Sequence, residues 1–228
     1  MKASFWFVAI AGLFVTCLIT ANIIAVKFIL LLGFLVPAGI IVFPLSYLFG
    51  DVLTEVYGYA ATRRVIWLGF FCNLLAVLAF ALGGIAPAAP FWHDQAAYNT
   101  ILGYAPRLLL GSFVAYLVGE FTNSFVLAKL KIATRGRWLW TRTIGSTLVG
   151  EGLDTLIFIL IAFWGTLPAS MMLQAILTQW IFKVAYEVIA TPFTYWVVGF
   201  LKRRESLDTY DYKTDFSPIL FRRVSSET

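Results

Sequence analysis

The sequence predicts an all-α integral membrane protein with six transmembrane helices and both termini in the cytoplasm. Of its 228 residues, 61% are hydrophobic and only 13% are charged, and its mean hydropathy is +0.85. A soluble domain carries about 25% charged residues, so this composition excludes a soluble or disordered chain. Apolar windows long enough for about 20 helical residues occur six times. These features together predict a multi-pass membrane protein.

The predicted spans divide the chain into a transmembrane part, residues 1–201, and a short cytoplasmic tail, residues 202–228. The connection between the third and fourth spans is the longest, and its prolines and Trp92 predict a surface loop or a short interfacial helix. Pro192 predicts a kink or a break in the last span. The spans are 5–30, 37–60, 63–84, 106–129, 142–165 and 171–200.

Basic residues determine the predicted orientation. The ends opposite to the basic ones carry little beyond Arg107 and Lys27. By the positive-inside rule, both termini are then cytoplasmic, and the number of spans is even. Because the basic residues flank apolar runs instead of lining a patch, nucleic acid is not a predicted partner. The basic residues at alternate helix ends include Arg63, Arg64, Lys129, Lys131, Arg135, Arg137, Arg142, Lys202, Arg203 and Arg204.

The second span, within FPLSYLFGDVLTEVYG (43–58), carries a polar stripe. Tyr47, Asp51 and Glu55 follow one another at four-residue steps, which places them on one face of a helix. A carboxylate near the centre of a bilayer costs at least about 2.5–3.5 kcal/mol. Both acids therefore need partners or water.

Acids in the spans outnumber bases. We count six acids in the spans against Lys27 and Lys183. Even if Arg107 and Arg142 reach inward, two acids remain unpaired, so they must be protonated, hydrated or in contact with a polar ligand. The excess predicts a water-accessible polar cavity, although single amides such as Gln179 could serve only to join helices, at about 0.6 kcal/mol each. The six acids are Asp51, Glu55, Glu120, Glu151, Asp154 and Glu187.

Small residues in the fourth span recur every four positions, at Gly111, Ala115 and Gly119, and predict a close approach to another helix. This face and the apolar face of the third span are both open to use in a homodimer. Three short segments around Asp51, Glu120 and Glu151 share a local form, which is compatible with a duplicated three-plus-three architecture or with chance.

No catalytic or metal-binding motif is present in the sequence. The only histidine, His93, lies in the long loop, and Cys17 and Cys72 show no metal-ligand spacing. Neither HExxH, G-x-S-x-G nor a Walker A sequence occurs. We therefore predict no enzymatic activity, no metal and no cofactor. Mixed acids, amides and a lysine favour a discrete solute site over an ion channel.

Several separated motifs together resemble the queuosine precursor transporter family, a six-helix group also described as vitamin-uptake proteins. They are FPLSYLFGDVLTEVYG, GEFTNSF, GEGLDT, and KVAYEVIATPFTYWVV with LKRRESLDTYD, and the resemblance extends from about residue 22 to 212. The resemblance implies a multi-pass protein of the bacterial inner membrane. It also implies import of small deazapurine bases, the 7-cyano- and 7-aminomethyl-7-deazaguanine precursors of queuosine.

The polar residues of the spans suit such a solute. A carboxylate can accept both adjacent N–H donors of a deazaguanine, the ring oxygen needs a donor, and the flat faces suit aromatic contacts. Glu187, Asp154 or Asp51 is expected to bind the guanine-like edge. The complete predicted site comprises Asn22, Phe43, Tyr47, Asp51, Glu55, Glu120, Asn123, Glu151, Asp154, Gln179, Trp180, Lys183, Tyr186 and Glu187.

Alternatives to an autonomous transporter remain open at this point. The excess of acids permits proton coupling, whereas facilitated diffusion needs no such residue. A solute-binding membrane subunit that depends on a separate energising partner would present the same cavity. In a structural or assembly protein, the polar stripes would only pair helices.

Overall fold

The structure, a computed structural model, describes residues 4–31, 34–103 and 106–219. Seven α-helices and one two-stranded antiparallel hairpin make up its regular structure within those residues. The elements are α1 (Phe5–Ile24), β1 (Phe28–Leu31), β2 (Phe34–Pro37), α2 (Phe43–Tyr57), α3 (Tyr59–Ile85), α4 (Gln95–Leu102), α5 (Pro106–Ala133), α6 (Leu139–Phe163) and α7 (Ala169–Glu205), with a 3₁₀ turn at Ala38–Ile41.

Five of these helices, α1, α3, α5, α6 and α7, have the length and apolar composition needed to cross a membrane. The prediction of a multi-pass helical membrane protein is confirmed to that extent. The long connection between α3 and α5 contains the short helix α4. A short helix was one of the two structures predicted for this connection. It is tied to α3 by a hydrogen bond of 2.9 Å from the Tyr98 hydroxyl to the Phe80 carbonyl.

The second predicted span differs most from the structure. Instead of a helix over 37–60, α2 has 15 residues, or about 22 Å at 1.5 Å per residue. Pro44 lies in its first turn, and Gly58, with a φ of 82°, separates it from α3. Twelve of its residues are buried. α2 is therefore a central helix covered by the others, which places its two acids inside the protein.

The first predicted span, 5–30, is also shorter than expected. α1 ends at Ile24, and Phe28–Leu31 pairs antiparallel with Phe34–Pro37. The hairpin leads into the 3₁₀ turn, where Gly39 packs against α1: a Cβ atom at Gly39 would lie 2.8 Å from the carbonyl oxygen of Ala21. The predicted helix was wrong here because an apolar run without periodicity does not distinguish a strand from a helix.

α5 and α6 are in close contact along the predicted small-residue face. A Cβ atom at Gly119 would lie 2.7 Å from the Cβ of Asp154, and one at Gly150 would lie 2.6 Å from the Cβ of Asn123. Gly111 faces Ile161 further along. The predicted close approach is confirmed, and α6 of the same chain occupies this face.

α7 continues through Pro192 to Glu205, so the helix is not broken there. Proline has no backbone N–H and so cannot donate the usual helical hydrogen bond. In transmembrane helices that contain proline, nearby Thr side chains can donate to backbone carbonyls. The Thr191 hydroxyl donates to the Glu187 carbonyl at 2.8 Å, and that of Thr194 to the Ala190 carbonyl at 3.3 Å.

After α7, residues 206–219 fold back across one end of the helix bundle. We call this the basic end, because Arg63, Lys131, Arg142 and Lys202 all lie there. Arg63 donates to the carbonyls of Asp215 and Ser217 at 3.0 and 2.6 Å. The described part of the tail therefore covers this end.

Candidate functional site

The three segments of similar local form come together at the centre of the bundle. On α5, the Asn123 amide donates to the Asp51 carboxylate of α2 at 2.6 Å. Gly50 leaves room for the Glu120 carboxylate: a Cβ atom there would lie 3.2 Å from its Oε2. Gly119 and Gly150 hold α6 against α5 at the same level. Small residues thus allow polar side chains of three helices to meet.

Lys183 of α7 completes this group. Its Nζ atom donates to Glu151 at 3.0 Å and to Asp154 at 2.5 Å, and it lies 5.3 Å from the centre of the Tyr47 ring. The Tyr47 hydroxyl lies beside the Glu151 carboxylate and interacts with it electrostatically, without the geometry of a hydrogen bond. One lysine therefore forms ion pairs with two acids.

Glu187 and Glu120 interact electrostatically with the other acids of this group. Glu187 of α7 is the strongest charged neighbour of Asp51, and Glu120 interacts with Glu151, Asp154 and Lys183. Asp51, Glu120, Glu151 and Glu187 are each no more than 2% exposed. We call these four, together with Asp154, Asn123, Tyr47 and Lys183, the central cluster. It contains five carboxyl groups and one basic group.

Many polar atoms of the central cluster have no hydrogen-bond partner among the described residues. Buried polar groups in proteins are paired in the great majority of cases, so such a concentration calls for water, protons or a ligand. The atoms are the Tyr47 hydroxyl, Asp51 Oδ2, both carboxylate oxygens of Glu120, Asn123 Oδ1, Glu151 Oε1 and Glu187 Oε1.

Glu55 lies apart from this cluster, one helical turn closer to the basic end. Arg142 donates to both of its carboxylate oxygens, at 2.7 and 2.8 Å. Lys202 donates to Oε1 at 2.5 Å, and Lys131 lies 3.5 Å from the same oxygen. We call these residues, with Asp208, the Glu55 cluster. Arg142 and Glu55 form a bidentate ion pair with Lys131 and Lys202 around it, so both oxygens of the Glu55 carboxylate have partners.

The tail adds Asp208 to the Glu55 cluster. Its carboxylate accepts from Lys131 at 2.6 Å and lies 2.8 Å from Lys202. Partial burial alone would raise the pKa of Asp208, but the hydrogen bonds from these two lysines lower it below its usual value. The Thr209 amide donates to the Val56 carbonyl at 3.3 Å. The tail thus contacts α2 directly where α2 ends.

The other predicted site residues lie around the central cluster rather than in it. Phe43 stacks on Tyr47, with ring centroids 5.8 Å apart. Asn22 donates to Asn73 at 3.1 Å, which joins α1 to α3. The Trp180 indole donates to the Leu148 carbonyl at 3.0 Å. Gln179 and Tyr186 are half-buried on α7, and Tyr186 interacts electrostatically with Glu187.

Sequence reasoning missed several participants. Lys131 and Lys202 were assigned only to the positive ends of helices, although both reach Glu55. Of the two arginines considered for an inward role, Arg142 takes it, whereas Arg107 donates to the Ile161 and Trp164 carbonyls at the end of α6.

Two threonines of α6 were also missed. Thr147 and Thr155 have buried hydroxyls without partners among the described residues. They lie four residues before and after Glu151, so the four-residue spacing could have identified them.

Comparison with known proteins identifies a family and several similar chains. A family model described as "Putative vitamin uptake transporter" matches residues 37–197. A Bacillus subtilis protein named "Probable queuosine precursor transporter" is 34% identical over 180 residues, 78% of each chain. The "Queuosine precursor transporter" of Escherichia coli is 28% identical over 192 residues, 82% of each chain. No solved structure matches the chain significantly.

The match covers α2, α3, α5 and α6, and most of α7, and therefore every residue of the central cluster. The matched region includes the motifs FPLSYLFGDVLTEVYG, GEFTNSF and GEGLDT and nearly all of KVAYEVIATPFTYWVV, whereas LKRRESLDTYD lies beyond it. The chain belongs to the queuosine precursor transporter family, whose family model carries the vitamin-uptake description.

Proposed function

We propose that the protein imports 7-cyano- and 7-aminomethyl-7-deazaguanine across the bacterial inner membrane, and that Asp51, Glu187, Lys183 and Tyr47 of the central cluster bind them. The relatives named above support the solute class. The observation that carries the assignment of the site is the convergence of five carboxyl groups and one lysine from four helices, with many of their polar atoms unpaired.

Asp51 and Glu187 are the proposed contacts to the guanine-like edge. They come from α2 and α7 and interact electrostatically, and each has a buried oxygen without a partner among the described residues. The Asn123 amide holds the other Asp51 oxygen and thereby fixes the orientation of the carboxylate. Adjacent N–H donors of a deazaguanine pair well with acceptors held in this way.

Lys183 and Tyr47 are the proposed contacts to the ring oxygen and to the flat face of the solute. Lys183 is the donor nearest to the cluster's acids, and it can turn from Glu151 or Asp154 toward a ring oxygen. The stacked pair of Phe43 and Tyr47 offers a flat aromatic surface beside it. The ammonium of the aminomethyl form would pair with an acid that Lys183 does not occupy.

The Glu55 cluster and the tail are proposed to form the cytoplasmic closure of the pathway. They lie at the basic end of the bundle, which the positive-inside rule assigns to the cytoplasm. In this proposal α2 is the sixth crossing, extended by the 3₁₀ turn at Ala38–Ile41, and both termini are cytoplasmic. The similar segments on α2, α5 and α6 would then belong to a three-plus-three architecture.

Uptake of radiolabelled 7-cyano-7-deazaguanine by cells that lack their own transporter tests this function. Asp51→Asn and Glu187→Gln should each reduce uptake at least about tenfold, the loss expected when a hydrogen bond to a charged group is weakened. Asp94→Asn, in the exposed loop before α4, is the matched control and should retain wild-type uptake.

Equal expression of all variants must be verified by immunoblotting. Wild-type uptake of the base by both variants would contradict the proposed site. Purified protein that binds the base but does not move it into liposomes would instead identify a binding subunit with a separate energising partner.

A further inference from the structure

Glu120 differs from the other acids of the central cluster. Asp51 accepts from Asn123, Glu151 and Asp154 accept from Lys183, and Glu187 has one oxygen, Oε1, that is buried without a partner among the described residues. In the described part of the chain, both Glu120 oxygens are buried and neither has a hydrogen-bond partner. Its side chain is also too confined for a solute to lie against it from the α2 side, because the backbone at Gly50 covers its Oε2.

The groups that face Glu120 do not neutralise its charge. Tyr47 and Asp51 face it from α2, Tyr116 from its own helix, and Glu151 and Asp154 from α6. Lys183 of α7 is the one basic group among these neighbours, and it is bonded to two other acids. An ionised carboxylate in this position would be desolvated and would face three further acids.

Burial of an unpaired charge costs several kcal/mol, so a carboxyl group in such surroundings takes up a proton. Five carboxyl groups against one lysine would otherwise leave four negative charges in the protein interior. Among the described residues, Glu120 is the acid of the central cluster with both carboxylate oxygens buried and unpaired, and it is therefore the one whose charge this buried arrangement tolerates least.

We propose that Glu120 carries the proton that couples solute import to the proton gradient; this inference rests on the proposed function. When the cluster opens to the outside, a hydronium ion of the external solution transfers a proton to the Glu120 carboxylate and leaves a water molecule. The neutral group and the bound solute together permit closure. When the cluster opens to the cytoplasm, the solute leaves and the proton passes to water there. The empty transporter returns with Lys183, which the solute no longer engages, turned toward the ionised Glu120, so each cycle moves one proton inward with one solute molecule.

Proteoliposomes separate coupling from binding. With purified wild-type protein, an inward gradient of one pH unit should drive accumulation of neutral 7-cyano-7-deazaguanine up to about tenfold, the limit for one proton per solute. A sodium gradient of the same size at equal pH should drive none.

Glu120→Gln mimics the protonated carboxyl group permanently. This variant should exchange labelled for unlabelled base across the membrane at a rate similar to wild type, but its accumulation in the pH gradient should fall to about onefold. Asp94→Asn, the matched control, should keep both exchange and accumulation. Thermal unfolding of each purified variant shows that the protein is folded, and a separate titration measures its affinity for the base.

Three results would overturn the inference. They are accumulation of the base by Glu120→Gln at the wild-type level, accumulation that follows sodium instead of protons, and loss of base binding by a folded Glu120→Gln protein. The last result would make Glu120 a solute ligand. Absence of binding and exchange in the wild-type protein would instead contradict the proposed function itself.

Discussion

Asp51 and Glu55 lie one turn apart on the same buried helix, yet their surroundings are opposite. Glu55 is bonded to Arg142 and Lys202 and has Lys131 nearby, so its charge is fully compensated. Asp51 has one amide donor on one oxygen and no partner among the described residues on the other. A paired buried acid joins helices, whereas an unpaired one is available to a solute or a proton.

The largest difference expected from this comparison is in stability. Glu55→Gln should lower the free energy of unfolding by about 3–5 kcal/mol, because it leaves the buried Arg142 without its acid. Asp51→Asn should cost little or even stabilise the protein, because it removes an uncompensated charge. Thermal unfolding of the detergent-solubilised variants measures both effects. The comparison fails if Asp51→Asn is the more destabilising change.

A smaller effect is expected from a change that displaces the central cluster without altering its charge. Gly150→Ala places a methyl group 2.6 Å from the Asn123 Cβ, so α5 and α6 must move apart. The expected cost is about 1–3 kcal/mol, with weaker solute uptake because Asn123 no longer holds Asp51. Gly199→Ala is the matched control, since nothing lies within 4 Å of its added Cβ. Equal stability and uptake of the two variants would contradict this packing role.

The smallest effect concerns the edge of the Glu55 cluster. Asp208→Asn should lower stability at neutral pH by at most about 1 kcal/mol, because the Asp208 side chain is 44% exposed and its ion pairs are screened. Since the folded protein lowers the Asp208 pKa, its contribution is complete above the ordinary value of about 3.9 and is lost as the pH falls through the lowered value.

Melting temperatures of wild type and Asp208→Asn should therefore differ at pH 7 and converge below about pH 4. A difference that grows on acidification would contradict the assigned pairs with Lys131 and Lys202.

The sequence was sufficient to predict much of the central cluster. Four-residue spacing identified Asp51, and the excess of acids over bases indicated that some would remain unpaired. The small-residue pattern predicted the contact between α5 and α6, because close packing of helices requires glycine or alanine wherever it occurs.

The partners of Glu55 could not be predicted in the same way. Lys131 and Lys202 are 76 and 147 residues away from Glu55 in the chain, and only the tertiary fold brings them to it. The limits of α2 depend on Pro44 and on the backbone at Gly58, which local apolarity does not reveal. Apolar periodicity therefore determines neither which distant residues pair nor where a helix ends.

The most direct test of the central claim is isothermal titration of purified protein with 7-cyano-7-deazaguanine. We expect saturable binding by the wild-type protein and by Asp94→Asn, and a loss of at least about tenfold in affinity for Asp51→Asn. Wild-type affinity in a folded Asp51→Asn variant would contradict the claim that the unpaired acids of the central cluster form the solute site.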